Sequence, residues 1–403
     1  MHQMKKRNIN KPLMNAKRKS FSLSNLNEHS QAIQCIDKAL NYDSKYIVGY
    51  NTKGYSLDDL RKYDEALVCY DKAIKLDPNY ANAYNNKGSL LDDLGRYNEA
   101  IGYYDRVIEL DPDDAIVLNN KGYSLRHLEK YNKALVCYDK AIKLDPNYAI
   151  AYNNKGSSLH NLQIYNEAIV CFDKAIDLDP NYAIAYYNKG NSLCHLQKYN
   201  EALVCYDKVI ELDSNYAVIY NNKGNLLHNL QKYNEAIVCY EKAIELDPNF
   251  TIAYDNKGNS LRHLQKYNEA IVCYDKAIKL DPFYTIAYNN KGSSLHNLQK
   301  YNEAIVCYDT AIHLDPKYAI AYYNKGSSLD DLGKYNEALV CYDEAIKLDP
   351  NYAIAYDKKG ALLSYMKKYQ QAIVNYEQAL YYFQKNNDQN KYSNLIMELR
   401  NKQ

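Results

Sequence analysis

The chain has 403 residues, with 50 Lys and Arg against 49 Asp and Glu, a formal net charge of +1, and 47% apolar residues. That balance describes a folded protein and excludes a uniformly basic nucleic-acid binder, and no run of about 18 apolar residues predicts a membrane span or a secretory leader. Forty-six tyrosines beside five phenylalanines and no tryptophan is the unusual figure.

In chain order, residues 1–12 read as a basic, disordered tail. Residues 1–27 hold seven cations (Lys5, Lys6, Arg7, Lys11, Lys17, Arg18, Lys19) and no acid, which leaves the remainder near −6. The expected location is cytoplasmic, with the tail leaving a nuclear or organelle address open. Residues 13–46 form a degenerate repeat, with Ala32, Ile36 and Ala39 in register but Ser20 where later copies have glycine. Residues 47–386 are ten tandem copies of a 34-residue unit, marked by Gly54, Gly88, Gly122, Gly156, Gly190, Gly224, Gly258, Gly292, Gly326 and Gly360. Such a fixed period decides the fold before any single element is read.

With the glycine as position 8, each unit divides into two amphipathic segments. In residues 149–182, Ala151, Tyr152, Leu159 and Leu162 share one face, and Tyr165, Ala168, Ile169, Phe172, Ala175 and Ile176 share another, so the unit is a helical hairpin. The small residues Gly156 and Ala168 are expected to let the two axes approach. Proline at position 32, as at Pro78, Pro146 and Pro350, stops the second helix and pushes the preceding aspartate toward extended geometry. Positions 4, 17, 24 and 34 account for 36 of the 46 tyrosines, so the aromatic excess reads as a copied core. Nine of ten cysteines occupy position 23, which places them about 10 Å apart on equivalent helices, too far for disulfides. They are expected to be free thiols in a reducing compartment. Cys194, at position 12, is the exception and the candidate reactive thiol. Tyr392, Leu395, Ile396 and Leu399 predict a capping helix over 387–403.

Glycine at position 8, alanine at 20 and 27, aromatics at 4, 17 and 24 and proline at 32 resemble the tetratricopeptide repeat. In one copy these are Gly156, Ala168, Ala175, Tyr152, Tyr165, Phe172 and Pro180. Tyrosine stands at position 4 where the family usually has tryptophan, and lysine (Lys53, Lys87, Lys121 through Lys359) at position 7 where it has leucine. The lysine stem is expected to pack while its ammonium reaches the edge. The resemblance implies an all-α, right-handed superhelical solenoid of antiparallel helix pairs, with positions 2, 5, 6, 9, 12 and 13 of the first helices facing a ligand on the concave side.

Position 6 is asparagine in eight successive copies: Asn86, Asn120, Asn154, Asn188, Asn222, Asn256, Asn290 and Asn324. A column of carboxamides offers donors and acceptors to the backbone of an extended peptide, with micromolar affinity and broad specificity expected. It is similar to the asparagine ladder in the repeat domain of O-linked N-acetylglucosamine transferase. Positions 12 and 13 add Arg126, His127, His160, His195, His228, Arg262, His263 and His296 in the middle of the array, with aspartate pairs (Asp58/Asp59, Asp92/Asp93, Asp330/Asp331) at its ends. Position 2 supplies Ile150, Ile184, Ile252 and Ile286, an apolar stripe along the same wall. The groove is therefore expected to suit a segment with apolar anchors, acidic at its centre and basic toward its ends. Binding should strengthen as the histidines gain charge near pH ~6.5.

No phosphate loop, nucleophile elbow or convergent metal-ligand set stands out from the repeat background, so no enzyme, cofactor or metal is expected. The reading is a non-enzymatic protein–protein interaction scaffold. The alternative is a targeting or regulatory subunit that recruits a separate enzyme, such as a glycosyltransferase, to its substrates. Nucleic acid is not an expected partner. Partner identity and oligomeric state are not readable.

Overall fold

The computed structural model describes residues 28–383 and Met397. The basic tail, residues 13–27 of the degenerate copy and the capping helix expected over 387–403, Met397 apart, lie outside the described residues. Among the described residues every regular element is an α-helix, and none is long and apolar enough to cross a membrane.

The chain divides into two compact units, Met1–Leu212 and Asp213–Gln403. In the first, the helix His29–Tyr42 precedes the pairs Ile47–Asp59 with Tyr63–Leu76, Ala81–Asp93 with Tyr97–Leu110, Ala115–His127 with Tyr131–Leu144, Ala149–Asn161 with Tyr165–Leu178, and Ala183–His195 with Tyr199–Leu212. In the second they are Ala217–Asn229 with Tyr233–Leu246, Thr251–His263 with Tyr267–Leu280, Thr285–Asn297 with Tyr301–Leu314, Ala319–Asp331 with Tyr335–Leu348, and Ala353–Tyr365 with Tyr369–Phe383. Within each unit every antiparallel pair packs on the next, the all-α solenoid that the period predicts. The division falls where Ser214 replaces the proline of position 32.

Local chemistry sets the helix ends. The first helix of each repeat closes on a left-handed residue at position 15, glycine at Gly95 and Gly333 but Gln163 at φ 63° and Gln231 at φ 60° elsewhere. The N–H groups of Gln163 and Ile164 reach back to the carbonyls of His160 (2.8 Å) and Leu159 (2.9 Å), satisfying the last turn. The second helix ends at an extended aspartate, Asp179 at φ −135° and ψ 95°, whose Oδ1 accepts the Asn181 N–H at 3.0 Å. This is the geometry that the following proline imposes.

The core is narrower than the tyrosine count implies. Only position 24 is fully buried: Tyr70, Tyr104, Tyr138 and Phe172 in the first unit, Tyr240, Tyr274, Tyr308 and Tyr342 in the second. Tyrosines at positions 4, 17 and 34, such as Tyr152, Tyr165 and Tyr182, are half-buried along the seams. The glycine at position 8 makes room for the position 24 ring: a Cβ on Gly54 would lie 2.6 Å from Tyr70, and one on Gly224 2.5 Å from Tyr240. Alanines 66, 168, 236 and 304, at position 20, complete the contact at 0% exposure.

The lysine at position 7 does more than snorkel. Its ammonium pairs with the carboxylate sixteen residues earlier, on the second helix of the preceding repeat: Lys155–Asp139 (2.7 Å) and Lys189–Asp173 (2.6 Å) in the first unit, Lys257–Glu241 (2.8 Å) and Lys291–Asp275 (2.6 Å) in the second. Such half-exposed pairs contribute about 0–1 kcal/mol each, so their role is mainly to fix the register of neighbouring hairpins. None of the described cysteines is in a disulfide, and those at position 23 are buried from Cys69 onward.

Candidate peptide-binding groove

At about 100° per residue, positions 2, 6, 9 and 13 of a first helix fall on one face. In the first unit that face carries Ile150, Asn154 and Ser157 on one helix and Ile184, Asn188, Asn191 and His195 on the next. In the second it carries Ile252, Asn256, Asn259 and His263, then Ile286, Asn290, Ser293 and Asn297. The isoleucines are open to solvent, Ile150 at 46%, Ile184 at 57%, Ile252 at 49% and Ile286 at 44%. The stripe is thus not consumed by packing between repeats.

The asparagine column is bonded in a way the sequence reading did not anticipate. Within each unit Nδ2 donates to position 5 of the preceding repeat: Asn86 to Asn51 (3.1 Å), Asn120 to Asn85 (3.3 Å), Asn154 to Asn119 (2.9 Å) and Asn188 to Asn153 (2.9 Å) in the first unit. In the second, Asn256 donates to Asn221 (3.0 Å), Asn290 to Asp255 (3.0 Å) and Asn324 to Asn289 (2.8 Å). Position 5 was expected to face a ligand. Instead Asn119, Asn153, Asn221, Asp255 and Asn289 are 3–5% exposed and serve as acceptors inside the stack. At Asn154, Asn256, Asn290 and Asn324 position 6 retains its carbonyl oxygen and second N–H for a visitor, whereas the oxygens of Asn120 and Asn222 accept from Asn119 and Asn221 at 3.4 Å and Asn188 Nδ2 also reaches the Ser157 hydroxyl at 3.4 Å.

Position 12 is likewise committed. In four copies its side chain meets the serine at position 10 of the following repeat: Asp92 Oδ1 accepts from Ser124 (2.6 Å), and Nδ1 of His160, His228 and His296 lies 2.8 Å from Ser192, Ser260 and Ser328. The position 13 imidazoles of His127, His195 and His263 stack on tyrosines of the preceding repeat, Tyr97, Tyr165 and Tyr233, at centroid separations of 4.8, 4.7 and 4.9 Å.

These surroundings correct the expected titration near pH ~6.5. Burial, with the neighbouring His195, pushes His160 below the ordinary histidine value; burial, His263 and Arg262 do the same to His228. His127 and His263 are lowered by burial and by the adjacent arginine, and His296 by burial against the opposing pull of Asp331. At the acidic end the position 12 aspartates are withdrawn too, while Asp59 and Asp93 at position 13 stay exposed. Burial, relieved by hydrogen bonds from Ser124 and Tyr104, raises Asp92 to about 6, and burial with Asp93 and Asp59 raises Asp58 to about 6. Cys194 sits half-buried with its Sγ 3.5 Å from the Tyr206 hydroxyl, and burial raises its thiol, which opposes thiolate reactivity.

Cavities open on this face within each unit. One of about 140 Å³ lies among Arg126, His160, Asn188 and Asn191. In the second unit, one of about 500 Å³ lies among Asn225, His228, Asn256, Arg262 and His263, and one of about 230 Å³ among His296, Asn324, Asp331 and Lys358. Position 9 is the contribution that the sequence reading left out of its site residues. The oxygens of Asn191, Asn225 and Asn259 accept from the buried tyrosines Tyr206 (2.6 Å), Tyr240 (2.9 Å) and Tyr274 (3.0 Å), which turns the amide nitrogens away from those hydroxyls. Among the described residues no group of three or more His, Cys, Asp or Glu side chains is placed to hold a metal ion.

A stack of 34-residue helical hairpins with an open amide-lined first-helix face defines an α-solenoid of the repeat class. The chain belongs to the tetratricopeptide repeat family: that repeat matches residues 115–148, 149–182, 183–216, 217–250 and 319–352, and related repeat descriptions extend the match from residue 51 to 352. No curated protein matches the chain. Among solved structures, yeast Tom70 is 18% identical over 98% of this chain and 96% of its own, with a TM-score of 0.50, a likeness of fold. YrrB, described as a TPR protein with an unusual peptide-binding site, is 26% identical over 47% of this chain and 97% of its own, with a TM-score of 0.41. MamA is 26% identical over 42% of this chain and 92% of its own, with a TM-score of 0.40.

Proposed function

We propose that the chain is a non-enzymatic scaffold that receives an extended peptide segment along the open faces of its first helices. Membership of a family of interaction repeats supports the general role. The observation that carries the finer one is the exposed isoleucine at position 2, repeated beside the amides of positions 6 and 9 in each unit. Apolar side chains of a visiting strand would seat between successive isoleucines, while the carbonyls of position 6 and the N–H groups of position 9 meet its backbone. With the position 6 donors partly spent inside the stack, the amides supply register more than affinity, so micromolar binding is expected. Mostly buried thiols, none of those described in a disulfide, suit a reducing compartment such as the cytoplasm.

The test is fluorescence anisotropy of a labelled pool of random peptides, about 12 residues long, on the full chain. Ile286→Arg, on the open face of a first helix, should weaken binding at least about fivefold by removing an anchor of about 1 kcal/mol or more. Val272→Arg, on the open face of the adjoining second helix, should leave it unchanged. Equal effects of the two substitutions would place binding elsewhere.

A further inference from the structure

Where a serine stands at position 10 of the following repeat, the position 12 side chains of Asp92, His160, His228 and His296 take it as their partner. Arg262 breaks this rule. Ser294, which stands where its partner should be, bonds back to the Asn290 carbonyl at 3.2 Å, and the Arg262 Nε is buried with no hydrogen-bond partner. Asp255 feels the charge of Arg262, but that carboxylate is 3% exposed and accepts from Asn290 and Asn259, each at 3.0 Å. It forms no ion pair with the guanidinium. The Tyr274 hydroxyl interacts with the guanidinium, but with Nε unmatched the cation remains incompletely satisfied in the wall of the 500 Å³ cavity, beside His228 and His263. At the same cavity the Tyr240 hydroxyl occupies the Asn225 oxygen at 2.9 Å, leaving that amide's nitrogen to donate.

A partly desolvated cation with unused donors is unfavourable on its own, and an anion bonded to it recovers the lost solvation. We propose that this cavity binds an anionic side chain of the peptide lying in the groove, a carboxylate or a phosphate monoester. Arg262 supplies the charge and Asn225 a second donor. The inference rests on the groove reading above and adds what the groove selects. In the first unit Ser158 likewise bonds to the Asn154 carbonyl at 3.2 Å and the Arg126 Nε is buried without a partner beside the smaller cavity, but Arg126 Nη2 lies 3.2 Å from His127 Nε2 and Ser89 stands where the second unit has Asn225, so only part of the arrangement recurs.

The test uses the full chain and four peptide pools alike in random flanks, with Gln, Glu, phosphoserine or Lys at the centre. A charge-assisted hydrogen bond predicts that the Glu or phosphoserine pool binds about tenfold more tightly than the Gln pool. Arg262→Gln should abolish that preference while the Gln pool binds as before, and Arg262→Lys should keep part of it. Lys276→Gln, the same charge change on the exposed face of a second helix, should leave the preference intact. A larger gain for phosphoserine assigns the site to phosphate; an equal or larger gain for Glu assigns it to carboxylate. Wild-type binding that ignores the central residue, or a preference that survives Arg262→Gln, overturns this inference alone. Failure of all four pools to bind overturns the groove reading and this inference with it.

Discussion

Gly224 and Gly102 are both helical glycines, and their surroundings give opposite predictions for the same substitution. A methyl at Gly224 would meet the Tyr240 ring at 2.5 Å, whereas nothing lies within 4 Å of one at Gly102. Overpacking a core costs roughly 1–3 kcal/mol, and alanine regains about 0.5–1 kcal/mol of helix preference. Gly224→Ala should therefore lower the thermal midpoint of unfolding, and Gly102→Ala should raise it slightly. A rise in both would mean that the ring of position 24 moves aside freely. The glycine's spacing was legible in the sequence, but the identity of its neighbour was not, because small residues at positions 8 and 20 fit either close helix axes or an inserted ring. The asparagines show the same limit. Their column is plain in the sequence, yet an amide bonds equally well to a ligand or to position 5 of the preceding repeat, and only the stacking geometry chose the latter for one N–H of Asn86 through Asn188 and of Asn256 through Asn324.

Between elements, pairs and stacks recur at fixed offsets. The sixteen-residue spacing from Asp139 to Lys155 was present to be read, and it was missed because the lysine was judged as a surface side chain on its own helix. The histidines were placed correctly on the first helices, but their burial against Tyr233, Ser260 and the neighbouring imidazole needed coordinates. That burial sets a sign. Unfolded, His228 titrates near pH ~6.5; folded, burial, His263 and Arg262 hold it lower. Below pH ~6.5 the unfolded chain takes up the proton first, so the stability of neutral His228 is present above that pH and is lost as pH falls toward the folded value. The ring protons of His160 and His228 should titrate below pH ~6.5 by NMR. The difference in thermal midpoint between wild type and His228→Asn should narrow from about pH 7.5 to 5.5. A ring midpoint at or above the free value would contradict the packing described here.

For the molecule as a whole, the 34-residue period carried nearly all of the fold, since ten glycines in register leave one hairpin to be repeated. The division after Leu212 was not anticipated, although Ser214 in place of proline marks the same junction. The face opposite the amides was overlooked too. Valines at position 22, among them Val204 at 68% exposure and Val272 at 64%, stand among charged residues on the second helices. Two exposed apolar columns thus exist, and the proposed function depends on which one a peptide meets. A photo-crosslinking residue placed at Ile184 in one protein and at Val204 in another, each exposed to the same labelled random-peptide pool, decides between them. Peptide captured from Ile184, competed away by unlabelled pool and absent from Val204, is the predicted result; capture from Val204 instead would contradict a first-helix groove.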